Sequence, residues 1–201
     1  MTIPFKQIVL ASNNLKKINE LTSLLNDFNL SIKPQSTFDI PEIDEPHGTF
    51  VENALHKARH AAKISGLPAI ADDSGLCVKS LNLEPGIHSA RYAGLKKNDQ
   101  ENTALLLKNM LNIEDRFAYY YCAIVFLLNE NDPHPIIAEG IWRGEILKEP
   151  IGENGFGYDP IFHDFITEKS AAELAPEVKN KISHRGKALQ ALKQKLTIHY
   201  G

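Results

Sequence analysis

The stretch Leu67-Pro68-Ala69-Ile70-Ala71-Asp72-Asp73-Ser74-Gly75 sets two adjacent carboxylates at the end of an apolar run. A short apolar run of this kind predicts a buried strand, and the glycine predicts the turn that ends it. Acids where a buried strand meets a loop are costly unless something positive neutralises them. A metal ion, a basic side chain or a polar ligand would do so. Asp72 and Asp73 are therefore the first candidate functional residues.

The surrounding 201 residues are ordinary globular material, 43% hydrophobic and 23% charged, with a net charge of -3. That is enough chain for one domain, 1–201, or two closely packed lobes whose boundary the sequence does not mark. A nucleic-acid binder would carry a basic excess, which is absent here, so basic residues matter by placement. No apolar stretch is long enough to span a bilayer, and Met1-Thr2-Ile3-Pro4-Phe5-Lys6 lacks the layout of a signal peptide. Cys77 and Cys122 have no paired spacing for zinc or redox chemistry. They are expected to be buried thiols in a reducing cytoplasm.

Outward from the acidic run, Gln7 to Ser12 reads as a buried strand. Leu15, Ile18, Leu21, Leu24, Leu25 and Phe28 then recur at helical spacing behind an Asn13 or Asn14 cap. Pro41 to Gly48 is an acidic loop. Phe50, Ala54, Leu55, Ala58, Ala61 and Ala62 predict a second helix ending near Gly66. A turn-rich stretch surrounds Pro85-Gly86, and a helix is expected from Asp99 to about Leu111. Phe117 to Leu128 and Ile136 to Leu147 predict an antiparallel hairpin. Gly152 to Pro160 is too glycine-rich for regular structure, and a last helix runs from His184 to Leu196 with Ser183 as its cap. Early alternation of helix and strand followed by a late hairpin gives a mixed α/β sheet.

Four constellations carry chemistry. Ser12-Asn13-Asn14-Leu15-Lys16-Lys17 joins a strand to a helix, where exposed N–H groups and the helix dipole suit a phosphate. The plainer reading is a capped helix with solvated lysines. Asp44 and Glu45 with Asp72 and Asp73 form two acidic pairs able to hold magnesium, which takes one or two carboxylates plus waters and phosphate oxygens. Lys57 is either a surface charge or a second phosphate clamp. In Gly155-Phe156-Gly157-Tyr158-Asp159 the glycines leave Phe156 open to a flat ligand, unless it is a core plug. His184 and Arg185 offer donors to a carbonyl or a stacking surface to a base, or an ordinary surface ion pair.

Together these segments resemble the inosine/xanthosine triphosphate pyrophosphatase family over essentially the whole chain. The resemblance rests on Ser12, Asn14 and Lys17; Thr49 to Ala54 with Lys57-Ala58; and Ala71 to Leu76. It continues through Pro85 to Tyr92, Gly155 to Pro160, and Ser183-His184-Arg185-Gly186. Wording around Pro46-His47 departs from the family pattern and leaves open whether Asp44 or Glu45 is a metal ligand.

The resemblance implies an elongated mixed central β-sheet flanked by helices, in two lobes with the active site in the cleft between them, usually as a homodimer. It implies Mg2+-dependent hydrolysis of ITP, dITP and XTP to the monophosphate and pyrophosphate. Carried onto this chain, Asp73 would be proton acceptor and metal ligand, with Glu45 or Asp44 as further metal ligands and Asp72 in support. Ser12, Asn13, Asn14, Leu15, Lys16, Lys17 and Lys57 would hold the triphosphate. Ser74, Phe156, Gly157, Tyr158, Asp159, Lys179, His184 and Arg185 would bind the rest of the substrate, with Phe156 stacked on the base. Neither a nucleic acid nor a membrane is an expected partner. Two other readings use the same loops: a nucleotide sensor without catalysis, and a septum-inhibitor-type pyrophosphatase acting on other nucleotides.

Overall fold

Ile8, Val9 and Leu10 are almost completely buried in β1 (Gln7–Leu10), which pairs in parallel with β2 (Ser31–Pro34) and with β3 (Ala69–Val78). The computed structural model describes residues 5–25 and 28–200. Residues 1–4 of the opening segment, and the side chain of the candidate phosphate ligand Lys16, lie outside the described residues.

Seven strands hydrogen-bond in the order β2-β1-β3-β4-β5-β6-β7, with β4 at Phe117–Leu127, β5 at Ile136–Ile146, β6 at Phe162–Asp164 and β7 at Lys169–Ser170. β6 is antiparallel to both β5 and β7, so the sheet is mixed and the fold is α/β. The helices are α1 (Leu15–Leu24), α2 (Phe50–Ser65), α3 (Asp99–Asn109), α4 (Pro176–Ile182) and α5 (His184–Tyr200). Among the described residues no helix is long and apolar enough to cross a membrane.

The chain divides into two units. The first comprises Met1–Asp73, Ala123–Glu139 and Ala188–Gly201. Its core joins Val9, Ala69, Ala71, Val125 and Leu127 of the sheet to Ala54, Ala58, Ala61 and Ala62, a stripe of small side chains on α2. Alanines at this spacing lie on one helix face and let the helix approach a sheet closely. Thr49 caps α2, accepting the Glu52 N–H at 3.2 Å.

The second unit comprises Ser74–Cys122 and Gly140–Lys187. Leu76, Val78, Leu106, Met110, Tyr120, Trp142, Ile146 and Phe162 form its core. Trp142 donates its indole N–H to Asp164 at 2.7 Å, and Thr167 donates its backbone N–H and its hydroxyl to the same carboxylate, each at 2.8 Å. Burial would raise the Asp164 pKa, but these donors outweigh it and hold the group below its ordinary value.

Three expectations need correction. Asp72, Asp73, Ser74 and Gly75 do not end the strand, because β3 runs on to Val78. Apolar residues resume at Leu76-Cys77-Val78, and β3 lies between β1 and β4, so its backbone groups are satisfied by staying extended. The apolar spacing from Leu15 to Phe28 overstates the first helix: α1 stops at Leu24, and Leu15 is exposed while Leu21, Leu25 and Phe28 are buried. The last helix continues four residues past Leu196 to Tyr200. The short elements β6, β7 and α4 had no strong periodicity to announce them.

Replacing Asp164 by Ala strands the Trp142 N–H and is expected to lower stability by about 2 kcal/mol at neutral pH. Since the folded pKa is depressed, this contribution is present above the ordinary carboxylate value of 3.8 and is lost as pH falls through the lower folded value. Urea melts of both proteins at neutral and acidic pH check it; coincident midpoints at neutral pH would refute it.

Candidate active site

In the first unit, the loop between β1 and α1 is shaped by its own side chains. Asn14 donates its N–H to the Ser12 hydroxyl at 3.1 Å, Lys17 donates its N–H to Asn14 Oδ1 at 3.4 Å, and Asn13 Oδ1 accepts the Ser36 N–H at 3.0 Å. Asn14 thus acts as the cap, and Asn13 anchors the loop from outside the helix. The Lys17 ammonium reaches both oxygens of Asp72, at 2.8 and 3.0 Å. That contact favours an engaged Lys17 over a solvated one.

Asp73, the next residue along β3, faces a different helix. Lys57 of α2 stands 3.9 Å from Asp73 and 2.5 Å from Glu45. Neighbouring strand residues project to opposite faces, which lets each aspartate meet its own lysine. Burial by itself would lower the Lys57 pKa. Asp73, Asp72 and Glu45 outweigh it and raise it, so the ammonium stays charged. Glu45 is half-buried and engaged, whereas Asp44 is exposed in the same loop.

Asn53 holds that loop. It is fully buried, accepts the His47 N–H at 3.0 Å and donates to the His47 carbonyl at 3.3 Å. Two hydrogen bonds to one backbone residue fix the loop two positions from Glu45. The sequence offered a signal in the Thr49–Ala54 segment, a polar amide among the apolar residues of a helix, but did not mark its role.

In the second unit, Ser74 follows Asp73 on β3, half-buried. The 155–159 turn is built around Asp159, which is buried and accepts the Phe156 N–H at 2.7 Å. Lys179 of α4 forms an ion pair with Asp159, and its ammonium lies 4.6 Å from the centroid of the Phe156 ring. Gly155 has φ +86, and a Cβ there would fall 2.1 Å from Asp159 Oδ2, so both conformation and space demand glycine. Phe156 remains 55% exposed, which removes the core-plug reading. Tyr158 is buried and donates its hydroxyl to the Ser89 carbonyl at 2.8 Å.

Asp99 and Thr103 of α3 were not among the sequence candidates. Asp99 accepts the Gly157 N–H at 2.8 Å and Thr103 donates to the Gly157 carbonyl at 3.4 Å. No local pattern announces a clamp made 58 residues away. His184 and Arg185 open α5, half-buried, behind Ser183, whose hydroxyl accepts the Gly186 N–H at 3.2 Å. A Cβ on Gly186 would fall 1.9 Å from the Asn180 carbonyl oxygen, so α4 meets α5 backbone to backbone.

The first unit thus offers a polar loop and two lysine-countered carboxylates, and the second an exposed ring ringed by charged and polar groups. Among the described residues no three His, Cys, Asp or Glu side chains form a ready-made metal cage. Known proteins resemble the chain over nearly its whole length. A protein of Chromobacterium violaceum named dITP/XTP pyrophosphatase is 51% identical over 192 residues, covering 96% of this chain and 98% of that protein. A relative of the same name from Nitrosomonas europaea is 54% identical over 193 residues, 95% of this chain and 94% of that one. The structure of a HAM1 protein from Coxiella burnetii superposes with a TM-score of 0.94 at 50% identity, covering 96% of this chain and all of the other. Residues 8–195 match the profile of the Ham1 family, and with that extent of likeness in sequence and structure the chain belongs to the Ham1 family.

Proposed function

We propose that this chain hydrolyses non-standard purine nucleoside triphosphates (ITP, dITP and XTP) to the monophosphate and pyrophosphate. The observation that carries the reading is the pair of adjacent aspartates in a central strand, each countered by a lysine from a different helix. Lysines placed this way are ready to turn to an incoming polyanion, and carboxylates placed this way are ready to take a proton. The names of the relatives support the substrate class.

The donor set fits magnesium. Glu45 and Asp73 present hard oxygen donors around a shared cation, Lys57, and Mg2+ needs only one or two carboxylates beside waters and phosphate oxygens. Glu45 and Asp73 would hold the ion, with exposed Asp44 as an outer carboxylate, and the bound ion would supply positive charge to the phosphate oxygens.

The chain's own groups do the rest. Lys17 and Lys57 neutralise the triphosphate, and the N–H groups around Asn14 receive its oxygens at the start of α1. Leu15 and Lys16 follow this loop as the first residues of α1, where Leu15 is exposed. Asp73 orients the attacking water and takes its proton, which lets the water reach the α-phosphorus. Asp72 keeps Lys17 in place. Phe156 stacks on the base, held by Gly157, Tyr158, Asp159 and Lys179, with Ser74 and Arg185 as further polar contacts. An N–H of His184 donates to the 6-carbonyl of hypoxanthine or xanthine and leaves the adenine amino group without an acceptor. Such a mismatch in a dry site discriminates strongly. We place the enzyme in the cytoplasm, where the buried thiols Cys77 and Cys122 stay reduced, and as a homodimer, which sedimentation would test.

Asp73→Asn is expected to lower turnover of dITP about 1,000-fold with an unchanged melting curve. Pyrophosphate release from dITP, XTP, dGTP and dATP, with and without Mg2+, tests the reading. Equal turnover of all four would defeat the selectivity, and no release from any would leave a binding module.

Lys57→Met leaves Glu45 and Asp73 without the cation they share. The variant is expected to lose about 2 kcal/mol of stability near neutral pH. Because the folded Lys57 pKa is raised, its own contribution in the parent is present below 10.5 and lost only as pH rises through the higher folded value. A deficit independent of pH in thermal melts would contradict the shared-cation picture.

A further inference from the structure

Tyr120 of β4 is buried in the core of the second unit, outside every motif that links this chain to its family. Its ring lies against Trp142 at 6.0 Å and 23° and against Phe162 at 4.7 Å and 57°. The imidazole of His184 lies nearly parallel to it, with centroids 4.7 Å apart and 9° between planes. The Tyr120 hydroxyl also takes a hydrogen bond from the backbone of Tyr158, two residues beyond Phe156. One side chain therefore touches both the start of α5 and the 155–159 turn.

The start of α5 fixes the His184 backbone through the Ser183 cap and the close contact of Gly186 with Asn180. The backbone alone does not set the ring: its two side-chain torsions are held by what packs against it, and the parallel stack against Tyr120 restricts both. Tyr120 cannot itself swing, because Trp142 and Phe162 pack against it.

We infer that Tyr120 is a positioning and specificity-determining residue, the platform that holds the His184 ring in the one plane from which its N–H meets a purine 6-carbonyl. The inference rests on the proposed role of His184 as reader of the base. A ring free to tilt would follow whichever partner the base offers, and the penalty against the wrong base would fall. Tyr120 touches no reacting atom, so its loss should weaken substrate binding and base preference and spare the chemical step.

The test uses Tyr120→Phe, which keeps the ring, and Tyr120→Leu, which removes it. Steady-state kinetics with dITP and dATP in the presence of Mg2+ are read beside the histidine ring-proton NMR signals, with His184 assigned by its disappearance in His184→Gln. In the parent protein the His184 ring protons should be shifted upfield by the neighbouring ring. Tyr120→Phe should keep that shift and stay within about twofold of the parent in KM and in preference. Tyr120→Leu should lose the shift, raise KM for dITP about tenfold, keep kcat within about twofold, and reduce the dITP-over-dATP preference about tenfold. An unshifted His184 signal in the parent overturns the proposal even where Tyr120→Leu does not fold. So does a Tyr120→Leu protein with parental KM and preference, or one that loses kcat alone. A parent that releases no pyrophosphate from dITP while His184 is shifted as expected would refute the functional reading and leave the stacking geometry standing.

Discussion

Everything in the first unit turns on the cost of placing two carboxylates in the middle of a sheet. Asp72 and Asp73 are each only 8% exposed, and an unpaired charge there would be expelled or neutralised. The fold answers by spending one helix on each: α1 delivers Lys17 and α2 delivers Lys57. Ion pairs at this depth add little net stability over an apolar pair, because desolvation cancels much of the attraction. Their retention makes physical sense when the charges are needed by something that arrives later, and a polyphosphate with its cation is such a visitor.

The second unit solves a different problem, that of keeping an aromatic ring in water. An exposed Phe156 gains nothing from burial, so its position is set by polar contacts around it. Asp159 takes its N–H, Lys179 lies against its face, and Asp99 and Thr103 secure the next peptide from α3. With the turn this constrained, little conformational freedom is left to be lost when a flat ligand stacks, which favours binding.

The alternation of apolar runs and helical spacings was enough to place β1, α2, α3, β4 and β5, since each buries one continuous face or stripe. It failed where burial and local pattern part company. Ser74-Gly75 has the chemistry of a turn, yet a strand flanked by two others stays extended through it. α4 has no apolar stripe, so Lys179 was implied by the family resemblance but could not be placed on an element. The site followed the same rule. Residues grouped in short motifs were legible, whereas Asp99 and Tyr120 act across distances in the chain that no local window spans.

The contact of Gly186 with the Asn180 carbonyl bears on any attempt to alter this protein's taste for bases. Since nothing larger than hydrogen fits at that crossing, a methyl group would push α4 and α5 apart and carry Lys179 and His184 with them. Retuning the pocket by directed evolution should therefore hold position 186 constant and diversify Arg185 instead, where the side chain is half-buried and the helix crossing would not be disturbed.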